Sequence, residues 1–163
     1  TRDLFVFMAT TGLRHCDTQL FDPSWETPEQ VLEFIQRKTG GKAYPPLYGI
    51  AKTILQIYGG IPPVITNQKF NEHLKELFKE LNLDRSIAVQ SVRAKQVSRV
   101  VRPLYEVISS HAARRTFITI CLQKGMPLQD VMKMSGHSDY RGIKPYIRIT
   151  RQHLRTIADK WDI

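Results

Sequence analysis

Residues 109–117, Ser-Ser-His-Ala-Ala-Arg-Arg-Thr-Phe, begin the segment around which the rest of the chain can be interpreted. Either serine can accept a hydrogen bond from the first turn of a helix, and a helix starting here is predicted to run to Lys124, where Gly125 stops it. His111 and Arg114 are three residues apart, so both side chains lie on one face of that helix. Most such pairs are simply solvated, and this pair indicates a site only if other polar groups join it.

Downstream, a second short helix ends beside another histidine. Pro127 favours a helix start and Gly136 a helix stop, which leaves His137 directly after the helix end. Tyr146 follows nine residues after that histidine. Because Pro145 disfavours helical backbone at the residue before it, Tyr146 is expected at the start of a short helix or on a flexible loop.

Two further polar segments lie upstream, at 11–14 and 38–42, and each follows an apolar element. Residues 3–11 are apolar and predict a helix that ends in the sequence Thr-Gly-Leu-Arg at 11–14. Residues 31–37 contain Val, Phe and Ile and predict a strand, which is followed by a hairpin turn, Lys-Thr-Gly-Gly-Lys, at 38–42. The return strand at 43–45 ends in proline, which implies an edge position in its sheet.

The remaining pattern is mostly helical. Residues 66–83 form the clearest helix, because apolar side chains repeat there with the period of a helix. These side chains are Phe70, Leu74, Leu77, Phe78 and Leu81. Further helices are predicted at 16–21, 47–58 and 151–161, the last capped by Thr150, and residues 87–102 are predicted to be extended. The sequence therefore predicts one mainly α domain with a small antiparallel β-sheet, an α+β fold.

The charge of the chain predicts a polyanionic partner. The net charge is +9 and the isoelectric point is about 9.8. Residues 85–129 contain eight Lys or Arg residues and a single acid, Glu106. Such clustering is typical of nucleic-acid contacts, although a solvated basic face without a partner is an alternative at this point.

Length and composition exclude several other classes of protein. A chain of 163 residues is long enough for one domain with a core, and no apolar run approaches the roughly 20 residues of a membrane span. Cys16 and Cys121 are too few and too far apart for a disulfide framework; Cys121 is predicted to be a small buried hydrophobe, and a reducing cytoplasm is expected. The chain lacks an initiator Met and begins in an apolar segment, so we expect a fragment of a longer protein.

Taken in order, these polar segments resemble the tyrosine recombinase, or phage integrase, family. That family carries arginine in a T-G-L-R segment, lysine on a β-hairpin, H-x-x-R on a helix, G-H at a helix end, and tyrosine nine residues after that histidine. All five occur between residues 11 and 150, and Gly-His-Ser-Asp at 136–139 adds to the likeness. The sequence Lys-Pro-Tyr-Ile at 144–147 looks most like integrases of mobile elements from Bacteroidetes-type bacteria. The resemblance implies the integrase catalytic-domain fold over residues 1–163, without the N-terminal DNA-binding domain of a parent protein.

By this resemblance Tyr146 is the nucleophile of a DNA strand transfer. Its attack on a phosphodiester would form a 3′-phosphotyrosine bond and free a 5′-hydroxyl, and strand exchange and religation would follow without metal or ATP. A free phenol has a pKa near 10, so a base or nearby cations must favour its ionisation. Tyr140 competes for this role, but it follows His137 by only three residues.

The other matched side chains would bind the phosphate or move protons. Attack adds negative charge to the phosphate oxygens, and two guanidinium forks suit those oxygens because they bind bidentately and keep their charge. The resemblance implies that Arg14 and Arg114 bind the phosphate and that His137 donates a hydrogen bond to one of its oxygens. It implies proton transfer by His111 and general-acid catalysis by Lys38, with Lys42 as second choice. Asp17 would orient an active-site group.

The implied partner is double-stranded DNA. Basic side chains outside the catalytic set are expected to contact its backbone phosphates. These candidates are Lys42, Arg93, Lys95, Arg99, Arg102 and Arg115. The family acts as a homotetramer on two DNA sites and exchanges its C-terminal segment, here residues 150–163, while an isolated domain is expected to be a monomer. Neither a metal, a small-molecule cofactor nor a membrane is expected, and the implied location is the bacterial cytoplasm at the nucleoid.

Three other functions compete with this interpretation. A DNA-binding protein without catalysis would explain the charge but not the order of the polar residues. A type IB topoisomerase shares much of the phosphotyrosine site and differs in relaxing supercoils without exchanging partners. A metal hydrolase would need ligands among the five histidines, whose spacing matches no ligand pattern such as HExxH.

Overall fold

A computed structural model of the protein describes the backbone of residues 1–93 and 96–147, and their side chains except those of residues 90–98. Within these ranges the α-helices are α1 (Arg2–Thr11), α2 (His15–Thr18), α3 (Ile50–Tyr58), α4 (Asn67–Glu80), α5 (Leu104–Val107), α6 (His111–Gln123), α7 (Leu128–Ser135) and α8 (Tyr140–Ile143). Single 3₁₀ turns lie at Pro23–Trp25 and Lys144–Tyr146. The strands form two antiparallel pairs, β1 (Phe34–Ile35) with β2 (Lys42–Ala43) and β3 (Ser86–Arg93) with β4 (Gln96–Pro103). The mainly α fold is confirmed, with two small sheets in place of the one predicted.

Helix α1 contributes to two parts of the core and contacts both α3 and α6. Its residues Leu4 and Met8 pack with Phe70 and Leu74 of α4. Phe7, which is fully buried, belongs instead to the cluster that includes residues of the β1–β2 hairpin. The apolar segment at the start of the chain thus joins the hairpin to the helices that follow it.

A third cluster brings the end of the described chain onto α6. Phe117 and Cys121 of α6 pack with Val131 of α7 and Ile143 of α8, and Tyr146 is packed against the same group. Cys121 is only 5% exposed, which confirms that it is a small buried hydrophobe. This packing fixes the position of Tyr146 relative to the helix that begins with His-Ala-Ala-Arg.

The β1–β2 ladder is shorter than predicted because Pro45, in the predicted return strand, has no N–H to donate back to Leu32. The N–H of Leu32 donates to the Pro45 carbonyl, and that of Glu33 donates to the Trp25 carbonyl. The ladder itself has two residue pairs. Both strands of a two-stranded sheet are edge strands, as the proline in the return strand required.

Helix α4 ends earlier than the apolar pattern predicted. Asn82 has a φ of +54°, and the N–H groups of Leu83 and Asn82 bond to the carbonyls of Phe78 and Lys79. This is the Schellman arrangement that closes a helix around a left-handed residue. Leu81, the last member of the apolar stripe, therefore lies just beyond the helix and is 58% exposed. Asparagine is a less frequent helix stop than glycine, and the pattern alone therefore extended the helix too far.

Other predicted elements differ mainly in extent. Helix α2 covers only part of the predicted 16–21 segment, and α3 begins later than residue 47 because Gly49 has a φ of +53°. Strands β3 and β4 form a continuous ladder, which confirms the extended conformation predicted for 87–102 where that region is described. The helix predicted at 151–161 lies outside the described residues.

Replacing Gly12 with alanine is expected to destabilise the fold more than the same change at Gly125. Both glycines have similar positive φ values, +74° and +78°. A Cβ on Gly12 would lie 2.5 Å from the ring of Phe117, whereas a Cβ on Gly125 would have no neighbour within 4 Å. We expect a loss of about 1 kcal/mol for Gly125→Ala and roughly 2–4 kcal/mol for Gly12→Ala in urea unfolding. Equal losses would contradict the packing of the α1 end against α6.

Candidate active site

Arg114 is only 1% exposed and connects three parts of the fold. Its Nη1 donates to the carbonyl of Gly12 at 2.9 Å, and its Nη2 donates to the carbonyl of Ser135. These carbonyls lie at the ends of α1 and α7, where helix carbonyls lack partners within the helix. The guanidinium plane is therefore held by helix ends.

Arg14 lies immediately before α2 and is incompletely paired. Its Nη1 is 3.9 Å from Asp17 Oδ2, too far for a hydrogen bond, and both atoms are buried without a partner among the described residues. The other carboxylate oxygen of Asp17 accepts from the N–H of Arg37 at 2.9 Å, directly before Lys38. Asp17 thus ties α2 to the hairpin, a geometry that fits the orienting role expected of it.

The two guanidinium groups repel each other. Burial, and after it the charge of Arg14, lowers the pKa of Arg114 from 12.5 to about 10, and Asp17 offsets part of this effect. Arg114 therefore stays protonated at neutral pH, and the fold holds two like charges close together. Such an arrangement opposes stability and is typical of a site that receives an anion.

His137 presents a hydrogen-bond donor to the same region. Gly136, with a φ of +61°, ends α7 and lets the N–H of His137 bond back to the Met132 carbonyl at 2.9 Å. The His137 Nδ1 lies 2.7 Å from the Ser135 hydroxyl and 3.5 Å from Arg114 Nη2. A guanidinium can only donate, and Nδ1 accepts from it when the Ser135 hydroxyl, which also contacts the Val131 carbonyl, turns its proton to the ring. The proton of the neutral ring then lies on Nε2.

A neutral His137 makes stability depend on pH in a defined window. Burial, followed by the charges of Arg114 and Arg14, lowers the pKa of His137 from 6.5 to about 4. The unfolded chain takes up a proton near pH 6.5 and the folded chain only near pH 4, so the free energy of unfolding falls as the pH drops between them. From pH 7 to pH 4.5 the unmodified protein should lose roughly 2–3 kcal/mol more than His137→Gln in urea unfolding. Parallel pH profiles would show that the ring is not held neutral.

Tyr146 meets the first histidine of α6. Its hydroxyl lies 3.0 Å from Nε2 of His111. Burial, then the charges of Arg114 and Arg115, lowers the pKa of His111, so the ring is neutral at neutral pH. In the tautomer with its proton on Nδ1, this ring can accept the phenolic proton. The Arg115 guanidinium lies 5.8 Å from the centre of the Tyr146 ring, a cation–π contact.

The backbone around Tyr146 differs from the prediction. Lys144 has helical dihedral angles, φ −47° and ψ −41°, although Pro145 follows it. Tyr146 therefore ends a 3₁₀ turn instead of beginning a helix or lying on a loop. Proline is tolerated in this first turn because its missing N–H would have no helical partner there. The competing Tyr140 is 49% exposed at the start of α8, and it is Tyr146 that contacts His111.

The two candidate general acids, Lys38 and Lys42, have different surroundings. Lys38 is exposed in the hairpin turn, and its charge contributes to the lowered pKa of His111. Lys42 Nζ donates to Glu33 Oε1 at 3.1 Å, and this hydrogen bond raises the pKa of Lys42. Because a lysine paired with a carboxylate gives up its proton less readily, the geometry favours Lys38 as the acid.

The residues expected to contact DNA are only partly described. Arg99 and Arg102 are exposed on β4. Arg93 lies in β3, but its side chain is outside the described residues, as is the whole of Lys95. Arg115 stands over the ring of the candidate nucleophile, so it belongs to the cluster itself.

Two residues of this site had no role in the sequence analysis, Gln36 and Ser135. Gln36 is 1% exposed and donates from Nε2 to the Ser135 carbonyl at 2.8 Å. It continues the alternation of buried side chains begun by Leu32 and Phe34. A polar residue at an inward position of an apolar alternation was therefore the available signal. Ser135 acts partly through its backbone carbonyl, which no sequence pattern reveals.

Two structural findings bear on the other classes of protein. Within residues 1–93 and 96–147, no helix is long and apolar enough to cross a membrane. In the same part of the chain, no three His, Cys, Asp or Glu side chains converge as a metal site requires. The histidines described there do not form the group that a metal hydrolase would need.

Several solved structures share this fold. The integrase of transposon Tn1549, in complex with a circular intermediate DNA, is 16% identical at a TM-score of 0.67, over 97% of this chain and 57% of that chain. The XerH site-specific recombinase bound to palindromic difH substrate is 15% identical at a TM-score of 0.67, over 99% and 45%. The XerA recombinase is 12% identical at a TM-score of 0.61, over 99% and 62%. At such identities the similarity shows the fold, that of tyrosine recombinase catalytic domains, and this chain spans 45–62% of the length of these three.

Sequence comparison identifies the family directly. No curated protein matches the sequence. A sequence model described as the phage integrase family matches residues 64–153, more than half of the 163 residues. The matched segment contains His111, Arg114, His137 and Tyr146, which the fold brings together with Arg14. The chain belongs to the phage integrase family.

Proposed function

We propose that the protein is the catalytic domain of a site-specific DNA recombinase in which Tyr146 carries the broken strand. Its hydroxyl attacks a phosphodiester, so that an Oη–P bond forms as the P–O5′ bond breaks, giving a 3′-phosphotyrosine and a free 5′-hydroxyl. A partner strand's 5′-hydroxyl then reverses the step and religates the DNA without ATP, because the covalent bond conserves the energy. The observation that carries this proposal is the 3.0 Å contact between Tyr146 and His111 inside a cluster of basic side chains.

Arg14 and Arg114 supply the phosphate site in this proposal. The charge of Arg14 lowers the pKa of Arg114, and the buried Nη1 of Arg14 has no hydrogen-bond partner within the described part of the chain. A phosphate between the two forks would pair with both and relieve their repulsion. The five-coordinate transition state carries more negative charge on its oxygens and would be stabilised further. The Nε2–H of His137 adds a hydrogen bond to one of those oxygens.

Proton transfer is assigned to His111 and Lys38. Neutral His111 accepts the phenolic proton across the 3.0 Å contact as Tyr146 attacks. Lys38, on the exposed hairpin turn, donates a proton to the leaving 5′ oxygen, because an alkoxide is a poor leaving group. Religation uses the same two groups in reverse.

Double-stranded DNA is the proposed substrate and partner. The solved Tn1549 integrase and XerH structures contain DNA, and a net charge of +9 suits a polyanion. Exposed Arg99 and Arg102 would contact backbone phosphates and position the duplex without reading its sequence. The proposal extends to a homotetramer on two DNA sites, a monomer without DNA, and a location with the DNA in the bacterial cytoplasm.

The test is capture of the covalent intermediate. The protein is incubated with a pool of duplexes that carry a nick beside a stretch of random sequence. Cleavage near the nick releases a short strand that diffuses away, so religation is prevented and the phosphotyrosine accumulates. Adducts are separated on a denaturing gel, their peptide is mapped, and their DNA is sequenced to give the preferred cleavage site. We expect one adduct that maps to Tyr146.

Three other outcomes would contradict the proposal. DNA binding without any adduct would indicate a DNA-binding protein that lacks catalysis. Relaxation of a supercoiled plasmid, without strand exchange between two copies of the recovered site, would indicate a type IB topoisomerase. Adduct formation that EDTA abolishes would contradict a step that uses only protein side chains.

A further inference from the structure

Gln36 connects the lysine-bearing turn to the buried part of the site. Its side chain is 1% exposed and makes two hydrogen bonds, accepting at Oε1 from the Thr39 hydroxyl and donating from Nε2 to the Ser135 carbonyl, both at 2.8 Å. Its backbone closes the turn, because its N–H donates to the Gly41 carbonyl and its carbonyl accepts from the N–H of Gly40. The backbone bonds hold the turn together, and the side chain fixes it to α7.

The acceptor of Gln36 is shared with the proposed phosphate site. The Ser135 carbonyl also accepts from Nη2 of Arg114, and the Ser135 hydroxyl lies 2.7 Å from Nδ1 of His137. One carbonyl oxygen thus fixes both the Arg114 fork and the Gln36 amide. Any displacement of Gln36 therefore changes the position of the turn relative to Arg114 and His137.

The Gln36 amide lies so close to Gly136 that it leaves no space for a side chain there. A Cβ on Gly136 would lie 2.4 Å from Nε2 and 2.5 Å from Cδ of Gln36. Gly136 also has a φ of +61°, which ends α7 just before His137. The Gln36 side chain therefore occupies the surface that a glycine leaves free, and it is packed there as well as hydrogen-bonded.

The hairpin needs such an attachment because it is small. Its ladder contains two residue pairs, and an isolated two-stranded hairpin is marginally stable in water. Lys38 is exposed, on a long flexible side chain, so the position of its ammonium depends on where the turn is held. Gln36 and Thr39, which make the attachment, flank Lys38 in the sequence on its two sides.

The geometry points to Gln36 as a positioning residue that acts through Thr39, placing the Lys38 ammonium relative to Arg114 and His137. This inference rests on the proposed function, in which Lys38 passes its proton to O5′ as the P–O5′ bond breaks. Gln36 touches no reacting atom, and the effect of its bond to Thr39 is confined to the protonation of the leaving group. A purely structural glutamine would instead affect every step alike.

The experiment compares two leaving groups on the cleavage site recovered by adduct capture. One nicked duplex has oxygen at the scissile 5′ position and the other has sulfur there, which leaves as a thiolate and needs no proton. Single-turnover adduct formation is measured for Thr39→Val, which loses the hydroxyl at an exposed position, and for Thr39→Ser, which keeps it. Lys38→Met serves as the reference for loss of the acid, and Gln36→Met removes both side-chain bonds.

With the oxygen substrate we expect Thr39→Val to be slower by roughly 3- to 10-fold, the effect of one hydrogen bond, and Thr39→Ser to be within about 2-fold of the unmodified protein. Gln36→Met should be slower still. With the sulfur substrate the loss of Thr39→Val should disappear, as should that of Lys38→Met, and the loss of Gln36→Met should become smaller.

The outcomes separate this inference from the proposed function. If sulfur rescues Lys38→Met but not Thr39→Val, or if Thr39→Val has no effect on the oxygen substrate, Gln36 is structural and only this inference is overturned. If sulfur fails to rescue Lys38→Met, Lys38 is not the acid and the inference is overturned with that assignment. If the unmodified protein forms no adduct with either substrate, the proposed function fails first.

Discussion

Tyr146→Phe is expected to abolish the covalent adduct while leaving DNA affinity nearly unchanged. The change removes one oxygen, the atom that would bond to phosphorus. The remaining ring keeps its packing against the α6–α8 cluster and its contact with Arg115. Adduct formation on the nicked duplexes should fall by at least about 10⁴-fold. Binding of an intact duplex, measured by fluorescence anisotropy, should stay within about twofold because no charge is lost.

Tyr140→Phe is the matched control for this change. It removes the same oxygen from a tyrosine that is 49% exposed and lies only six residues earlier in the chain. Adduct formation should be unaffected by it. Persistence of the adduct in Tyr146→Phe together with its loss in Tyr140→Phe would transfer the nucleophile to Tyr140 and contradict the proposed geometry.

The elements that the sequence predicted well are those whose signals are local. Gly12 and Gly136 end helices at the predicted positions, because glycine is the usual residue in the left-handed conformation that ends a helix. The end of α4 was missed because Asn82 takes the same conformation without that signal. The backbone at Lys144 was missed because the preference imposed by Pro145 is weaker than the packing of α8 and the following turn onto α6.

The proximity of the candidate side chains was predictable, but the way they are held was not. The order and spacing of Arg14, His111, Arg114, His137 and Tyr146 indicated a common site, and the fold brings these side chains together. Arg114 donates its hydrogen bonds to backbone carbonyls, which every residue carries, so the sequence could not predict these partners. Gln36 left only a weak mark, a polar side chain at an inward position of a strand.

Arg114→Met is expected to leave the protein folded, because the charge that it removes opposes folding. Burial and the charge of Arg14 lower the pKa of Arg114 from 12.5 to about 10, which corresponds to about 3 kcal/mol against the charged form. Methionine fills much of the same buried space. The Ser135 carbonyl keeps its bond from Gln36, while the Gly12 carbonyl loses its donor at a cost of roughly 1–3 kcal/mol. The free energy of unfolding, measured in urea, should therefore change by no more than about 2 kcal/mol.

The same change should nevertheless reduce cleavage by at least roughly 10³-fold, because one of the two phosphate forks is gone. Arg115→Met is the matched control, since it removes a cation from the adjacent, exposed position and should reduce cleavage by only about 10-fold. Both proteins are assayed for unfolding and for adduct formation on the same preparations. Unfolding of Arg114→Met would make Arg114 chiefly structural, and normal cleavage by it would place the phosphate elsewhere. The expected combination, a stable but inactive protein, would show that the fold holds two repelling guanidinium groups together because a phosphate binds between them.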